Sequence, residues 1–212
     1  MSMSVTLQEC LRQKASRYEV IHHPYSHSNM EAAAAAHVPG DRLAKTVLLE
    51  DAQGYVAAVL PTTHAVRLSE LWAKTGRHLV LAKEVELREL FKDCDVGALP
   101  PVCMAYGMQT FLDDSLARQP DVYFEAGDHE ELVHMDRDEF LALMDKAERA
   151  SFSHKIQGWF PEWRDGGRFR RRWPRRAIGS DDEYGTAGFG ESAGAGCWIG
   201  RRGASGCDGG VD

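Results

Sequence analysis

The feature that most constrains the fold is a pair of apolar, strand-like runs, Thr46-Val47-Leu48-Leu49 and Tyr55-Val56-Ala57-Ala58-Val59-Leu60, joined through Asp51-Ala52-Gln53-Gly54. Each run is short and rich in Val, Leu and Tyr, and the connection is made of turn-forming residues. The pattern predicts a β-hairpin. Around it the rest of the first 150 residues must be arranged.

Upstream, Leu7 and Leu11 with polar residues between them predict a short amphipathic helix, N-capped by Ser4 or Thr6. Tyr18-Glu19-Val20-Ile21 reads as a strand. Ser28 followed by Glu31 is a capping-box pattern ahead of the Ala32–Ala36 run, and that helix should stop near Pro39-Gly40. Downstream, Ser69–Lys74 and Lys83–Phe91 read as helices around a short apolar segment, His78–Leu81. Gly97-Ala98-Leu99-Pro100-Pro101 must be a loop. Three short strands are expected at Gln109–Leu112, Val122–Glu125 and Glu131–His134, and Asp136 with Glu139 opens a final helix. Strands and helices are mixed, with several hairpin-like neighbours, so the expected class is α+β or α/β with a mixed sheet.

Composition divides the chain. Fourteen of the 20 glycines and four of the five tryptophans lie from Gly158 onward. Residues 1–150 hold 15 Lys and Arg against 24 Asp and Glu, a balance of −9 within a total of −7. Such an acidic body is a poor general binder of phosphate backbones, whose affinity rests on Lys and Arg displacing counterions. The expected organisation is a domain over 1–150 and a Gly- and Arg-rich tail over 151–212, read as disordered. The tail's Arg168–Arg176 cluster, six arginines around Phe169, Trp173 and Pro174, leaves a duplex-contacting role open.

Five cysteines, an odd number with no CxxC, suit free thiols in a reducing cytoplasm. Met1–Gln8 is neither basic nor continuously apolar, so it does not read as a secretory signal. No run of about 18 apolar residues predicts a membrane span.

Candidate chemistry is sparse. Lys45 stands at the start of the first hairpin strand, either an edge-protecting residue or a functional cation. Gly127-Asp128-His129 lies between two predicted strands, either a plain turn or a backbone cradle with an imidazole beside it. Gly97 to Pro101 is either a stiff connector or a loop that approaches a ligand. His22, His23, His27 and His37 match no metal-ligand spacing, and no cysteine lies among them. No metal and no cofactor are expected. No Gly-x-Ser-x-Gly elbow occurs, and neither Cys94 nor Cys103 has a setting that marks a nucleophile.

Taken together, residues 5–148 resemble the YbaK / prolyl-tRNA synthetase editing-domain family. The similarity rests on Ile21-His22-His23, the Ala-rich helix, Ala44-Lys45-Thr46-Val47-Leu48-Leu49 and Gly97-Ala98-Leu99-Pro100-Pro101. It continues through Phe111-Leu112-Asp113-Asp114-Ser115-Leu116, Phe124-Glu125-Ala126-Gly127-Asp128-His129 and Met135-Asp136-Arg137-Asp138-Glu139-Phe140. The resemblance implies a mixed, largely antiparallel sheet flanked by helices, and hydrolysis of mischarged aminoacyl-tRNA without a covalent enzyme intermediate. It implies catalytic roles for Lys45, Gly127 and His129, with Lys45 clamping charge at the tRNA end. It implies substrate contacts at His23, Thr46, Gly97, Pro100 and Asp128. The implied partner is the aminoacyl-tRNA acceptor end, with or without a synthetase. A non-catalytic module that binds the same end, or a nucleotide, is the alternative.

Overall fold

A computed structural model describes residues 3–156 of the 212-residue chain. In order they form α1 (Val5–Gln13), β1 (Glu19–His22), α2 (Asn29–Ala35), β2 (Leu43–Asp51), β3 (Gly54–Pro61), β4 (His64–Val66), α3 (Leu68–Thr75), β5 (Val80–Leu81) and α4 (Glu84–Leu90). A 3-10 turn (Cys103–Tyr106) leads into β6 (Gln109–Asp113), α5 (Asp114–Ala117), β7 (Asp121–Glu125), β8 (Glu131–Asp136), α6 (Arg137–Leu143), β9 (Glu148–Ala150) and β10 (Ser153–Lys155).

The predicted hairpin is the centre of the main sheet. β2 and β3 pair antiparallel over eight positions, from Ala44 opposite Pro61 to Asp51 opposite Gly54. Gly54 sits at φ +112, a region open to glycine and strained for other residues, and so closes the turn. Around this pair the main sheet runs β1-β8-β7-β2-β3-β6-β9, with β5 also on β2. β2–β7, β3–β6 and β6–β9 are parallel and the other pairs antiparallel. The fold is therefore the mixed sheet with flanking helices that the sequence predicts.

Period-two alternation on β2 sorts its side chains to two faces. Ala44 and Leu48 point to the side where Leu7 and Leu11 of α1, Phe91, and Phe140 of α6 pack. Leu43 and Leu49 point to the other side, covered by Ala32 and Ala33 of α2 and Leu71 of α3. Both faces are thus dry, which is why the central strands read as continuous apolar runs rather than alternating ones.

Helix starts follow local chemistry at α1 and α2 and depart from it at α6. Ser4, not Thr6, caps α1, its side chain accepting from the Leu7 amide at 3.2 Å. Ser28 caps α2, while Glu31 bonds the amide of His27, one residue before the cap. At α6 the capping box does not form: Asp136 makes no side-chain cap bond, and Glu139 pairs with Arg17 instead.

Regular structure continues beyond Ala150. β10 pairs with β4, and Phe152, 1% exposed, enters the α3-side core. The Phe152 amide donates to Asp113 and its carbonyl accepts from Arg67 at 2.7 Å. From residue 157 the expected disordered tail, including Arg168–Arg176, lies outside the described residues. Among the described residues no helix is long and apolar enough to cross a membrane.

Candidate active site

The turn from β7 to β8 is held by its own aspartate. Asp128 is buried, and its Oδ1 accepts from the amides of Glu130 and Glu131 at 3.1 and 3.0 Å. Gly127 adopts φ +122, and a Cβ there would meet Ser4 Cβ at 3.1 Å. Its carbonyl accepts from the Asp95 amide at 2.8 Å, while the Ala126 carbonyl accepts from Ser4 at 2.9 Å. The turn is thus clamped between the start of α1 and the segment leading to Gly97. Only glycine combines that dihedral with that close approach.

His129 also takes a positive φ, +63, and is 4% exposed. Its Nε2 lies 2.9 Å from the Val96 carbonyl. A carbonyl can only accept, so Nε2 carries a proton, and in the neutral ring Nδ1 presents a lone pair. That Nδ1 is buried with no hydrogen-bond partner among the described residues. Gly97, at φ +98, lies against the ring, where an added Cβ would be 3.3 Å from Cε1. The two glycine loops predicted from sequence are therefore in contact, through one imidazole.

His23 joins from a third segment. Its amide donates to the Glu130 carbonyl at 2.9 Å, and the Ser26 amide donates to the His129 carbonyl at 3.1 Å. The His23 ring uses Nδ1 on the Pro24 carbonyl and leaves a buried Nε2 without a partner among the described residues. By the same reasoning this nitrogen is a free acceptor.

Glu125, the last residue of β7, is a residue that sequence reasoning passed over. It is 1% exposed, and neither carboxyl oxygen has a partner among the described residues. Burial, and then the neighbouring Asp128 carboxylate, push its pKa from 4.5 up to about 8. A carboxylate removed from water without a partner is costly, and holding the proton avoids most of that cost. The available signal was an acidic residue following the apolar run Val122-Tyr123-Phe124.

Thr46 and Lys45 leave β2 on opposite faces. The Thr46 hydroxyl donates to the carbonyl of buried Pro100 at 3.3 Å, tying β2 to the loop that carries Gly97. Lys45 is half-buried, and its ammonium lies 3.4 Å from the Thr62 carbonyl. Among the described residues it has no ion pair, and burial lowers its pKa. β7 pairs with β2 only at Leu43 and Ala44, so Lys45 is the first residue of β2 beyond that parallel partner. The structure thus brings together His23, Gly97, Gly127, Asp128 and His129, and joins Thr46 to Pro100. It gives Lys45 no hydrogen bond to any of them.

Thiol chemistry is disfavoured. Burial raises the pKa of Cys10, Cys94 and Cys103, away from the thiolate that a nucleophile needs. Among the described residues no group of three His, Cys, Asp or Glu side chains is placed to hold a metal ion.

A family model described as an aminoacyl-tRNA editing domain matches residues 23–143, more than half of the chain. A search of curated proteins finds no match. Among solved structures, the chain is similar to a hypothetical protein at 22% identity and a TM-score of 0.64, covering 70% of this chain and 99% of that one. It is similar to a candidate trans-editing enzyme for prolyl-tRNA synthetase at 23% identity and a TM-score of 0.61, covering 70% and 95%. A candidate signal transduction protein from Marinobacter aquaeolei VT8 matches at 23% identity and a TM-score of 0.57, covering 70% of this chain and 30% of that one.

Proposed function

The chain belongs to the aminoacyl-tRNA editing domain family, and from that premise we propose that it hydrolyses the ester of mischarged aminoacyl-tRNA with water as the nucleophile. The observation that carries the mechanism is Lys45: a half-buried ammonium facing one carbonyl, with no carboxylate to neutralise it among the described residues. Such a cation gains by receiving an anion, because the partner offsets its desolvation.

In this reading Lys45 clamps the terminal phosphate or the charge that develops on the ester carbonyl. His129, through its free Nδ1, accepts a hydrogen bond from the attacking water or a ribose hydroxyl, and His23 supplies a second acceptor. Gly127 and Asp128 set the turn that aims His129. Gly97 backs the imidazole, and Thr46 holds the loop that carries Gly97 through the Pro100 carbonyl. An aminoacyl ester is already activated, so orientation and charge stabilisation supply a useful rate without a covalent intermediate. The raised thiol pKa values support that economy. The acidic body points to recognition of the acceptor end alone, or with a synthetase beside it.

The test is deacylation of alanyl-, seryl-, threonyl- and cysteinyl-tRNA by the full chain. At least one should be cleaved, and Lys45→Ala should lower kcat about 100-fold, the scale for removing one transition-state donor. Four uncleaved substrates would overturn the proposal. Tight binding of the acceptor end without turnover would replace it with a binding module.

A further inference from the structure

The segment from His23 to Ser26 places one aromatic ring where the mechanism above gives it no task. Tyr25 is 55% exposed, more than any other large aromatic among the described residues. Its ring centroid lies 5.4 Å from that of His129 and 5.1 Å from that of His27. The backbone beneath it is fixed: Ser26 is 1% exposed and donates to the His129 carbonyl, and His23 donates to Glu130. A large ring held in water by a buried neighbour gains nothing for the core, since an apolar surface left exposed contributes little to folding.

We propose that Tyr25 is the stacking platform for the terminal nucleobase of the tRNA acceptor end. Both ring neighbours are inclined to it, His129 by 57° and His27 by 74°, and no ring among the described residues lies parallel to it. Parallel contact is what a nucleobase offers, and unpaired bases are held on Tyr, Phe, Trp or His rings in this way. The position follows from the chain: Tyr25 rests on His129, and His129 carries the free nitrogen assigned to the reacting water or ribose. A base on Tyr25 would therefore bring its own ribose toward the imidazole.

The charge balance agrees. Stacking needs no cation, and the first 150 residues carry a balance of −9, which cannot grip a long phosphate backbone. One base on one aromatic ring, with Lys45 for the anion, is recognition that an acidic protein can afford. The proposal rests on the editing reading for its substrate, but makes a separate demand: affinity must depend on the base.

The experiment uses the full chain and two stable probes, 3′-alanylamino-3′-deoxyadenosine and its counterpart with hydrogen in place of the base. Wild type should bind the first about ten-fold or more tightly than the second, as expected for one stacked base. Tyr25→Ala should bind both equally, while Tyr25→Phe and Tyr25→Trp keep the preference. On an aminoacyl-tRNA that wild type cleaves, Tyr25→Ala should raise KM by a similar factor and change kcat less than KM. No base preference in wild type, or the same preference in Tyr25→Ala, would overturn the proposal. A Tyr25-dependent base preference with no deacylation of any tRNA would keep it and sink the hydrolase reading.

Discussion

Glu125 folds with its proton attached, and this fixes how stability must change with pH. Its carboxyl rises from 4.5 to about 8 because burial disfavours the anion and Asp128 repels it. A folded pKa above the unfolded one means that the folded state binds the proton more tightly. The stability this group allows is fully present below about pH 4.5 and is lost progressively as pH rises toward 8. Integrating that difference from pH 5 to pH 8 gives a loss of about 3 kcal/mol, at roughly 1.4 kcal/mol per pH unit over most of the range. Glu125→Gln has nearly the same shape and no charge to gain, so the slope disappears. The variant should therefore gain about 3 kcal/mol relative to wild type between pH 5 and pH 8. Urea unfolding of both proteins, followed by circular dichroism at each pH unit, measures that difference. Groups common to both proteins cancel in it. A gap that stays constant across the range, or that closes as pH rises, would refute the assignment of a buried neutral acid.

Gly97→Ala combines a strained dihedral with a contact on His129 Cε1 at 3.3 Å. It should cost about 1–3 kcal/mol, seen as a lowered Tm, and should reduce deacylation by displacing the imidazole. Phe152→Ala opens the α3-side core and should cost about 3–5 kcal/mol in denaturant unfolding, whereas an unchanged midpoint would mean that Phe152 is not core.

Much of the fold was legible locally. The hairpin was plain because strand pattern and turn residues are short-range signals, and β2 and β3 pair where those signals end. The helices at Leu68–Thr75 and Glu84–Leu90 fall within a residue of their expected bounds. β4, β9 and β10 are three residues each, too short to carry a period, and they exist because neighbouring strands complete their hydrogen bonds. Asp136 and Glu139 matched a capping box in sequence, but Arg17, 122 residues from Glu139 along the chain, offered the carboxylate a charged partner.

The candidate site divides along the same line. By itself the sequence determined which residues were available: a lysine at the head of an apolar strand, glycines at turns, and a histidine beside one of them. These are matters of composition and local spacing, and they were enough to bring out the family resemblance. Only the tertiary structure decided that Gly97 lies against His129, whose ring bonds a carbonyl 33 residues away, and that Lys45 meets no carboxylate among the described residues. It also left Glu125 without a partner among the described residues and set Tyr25 beside His129. Partnership and desolvation depend on which distant segments the chain brings together, and no local pattern encodes that path.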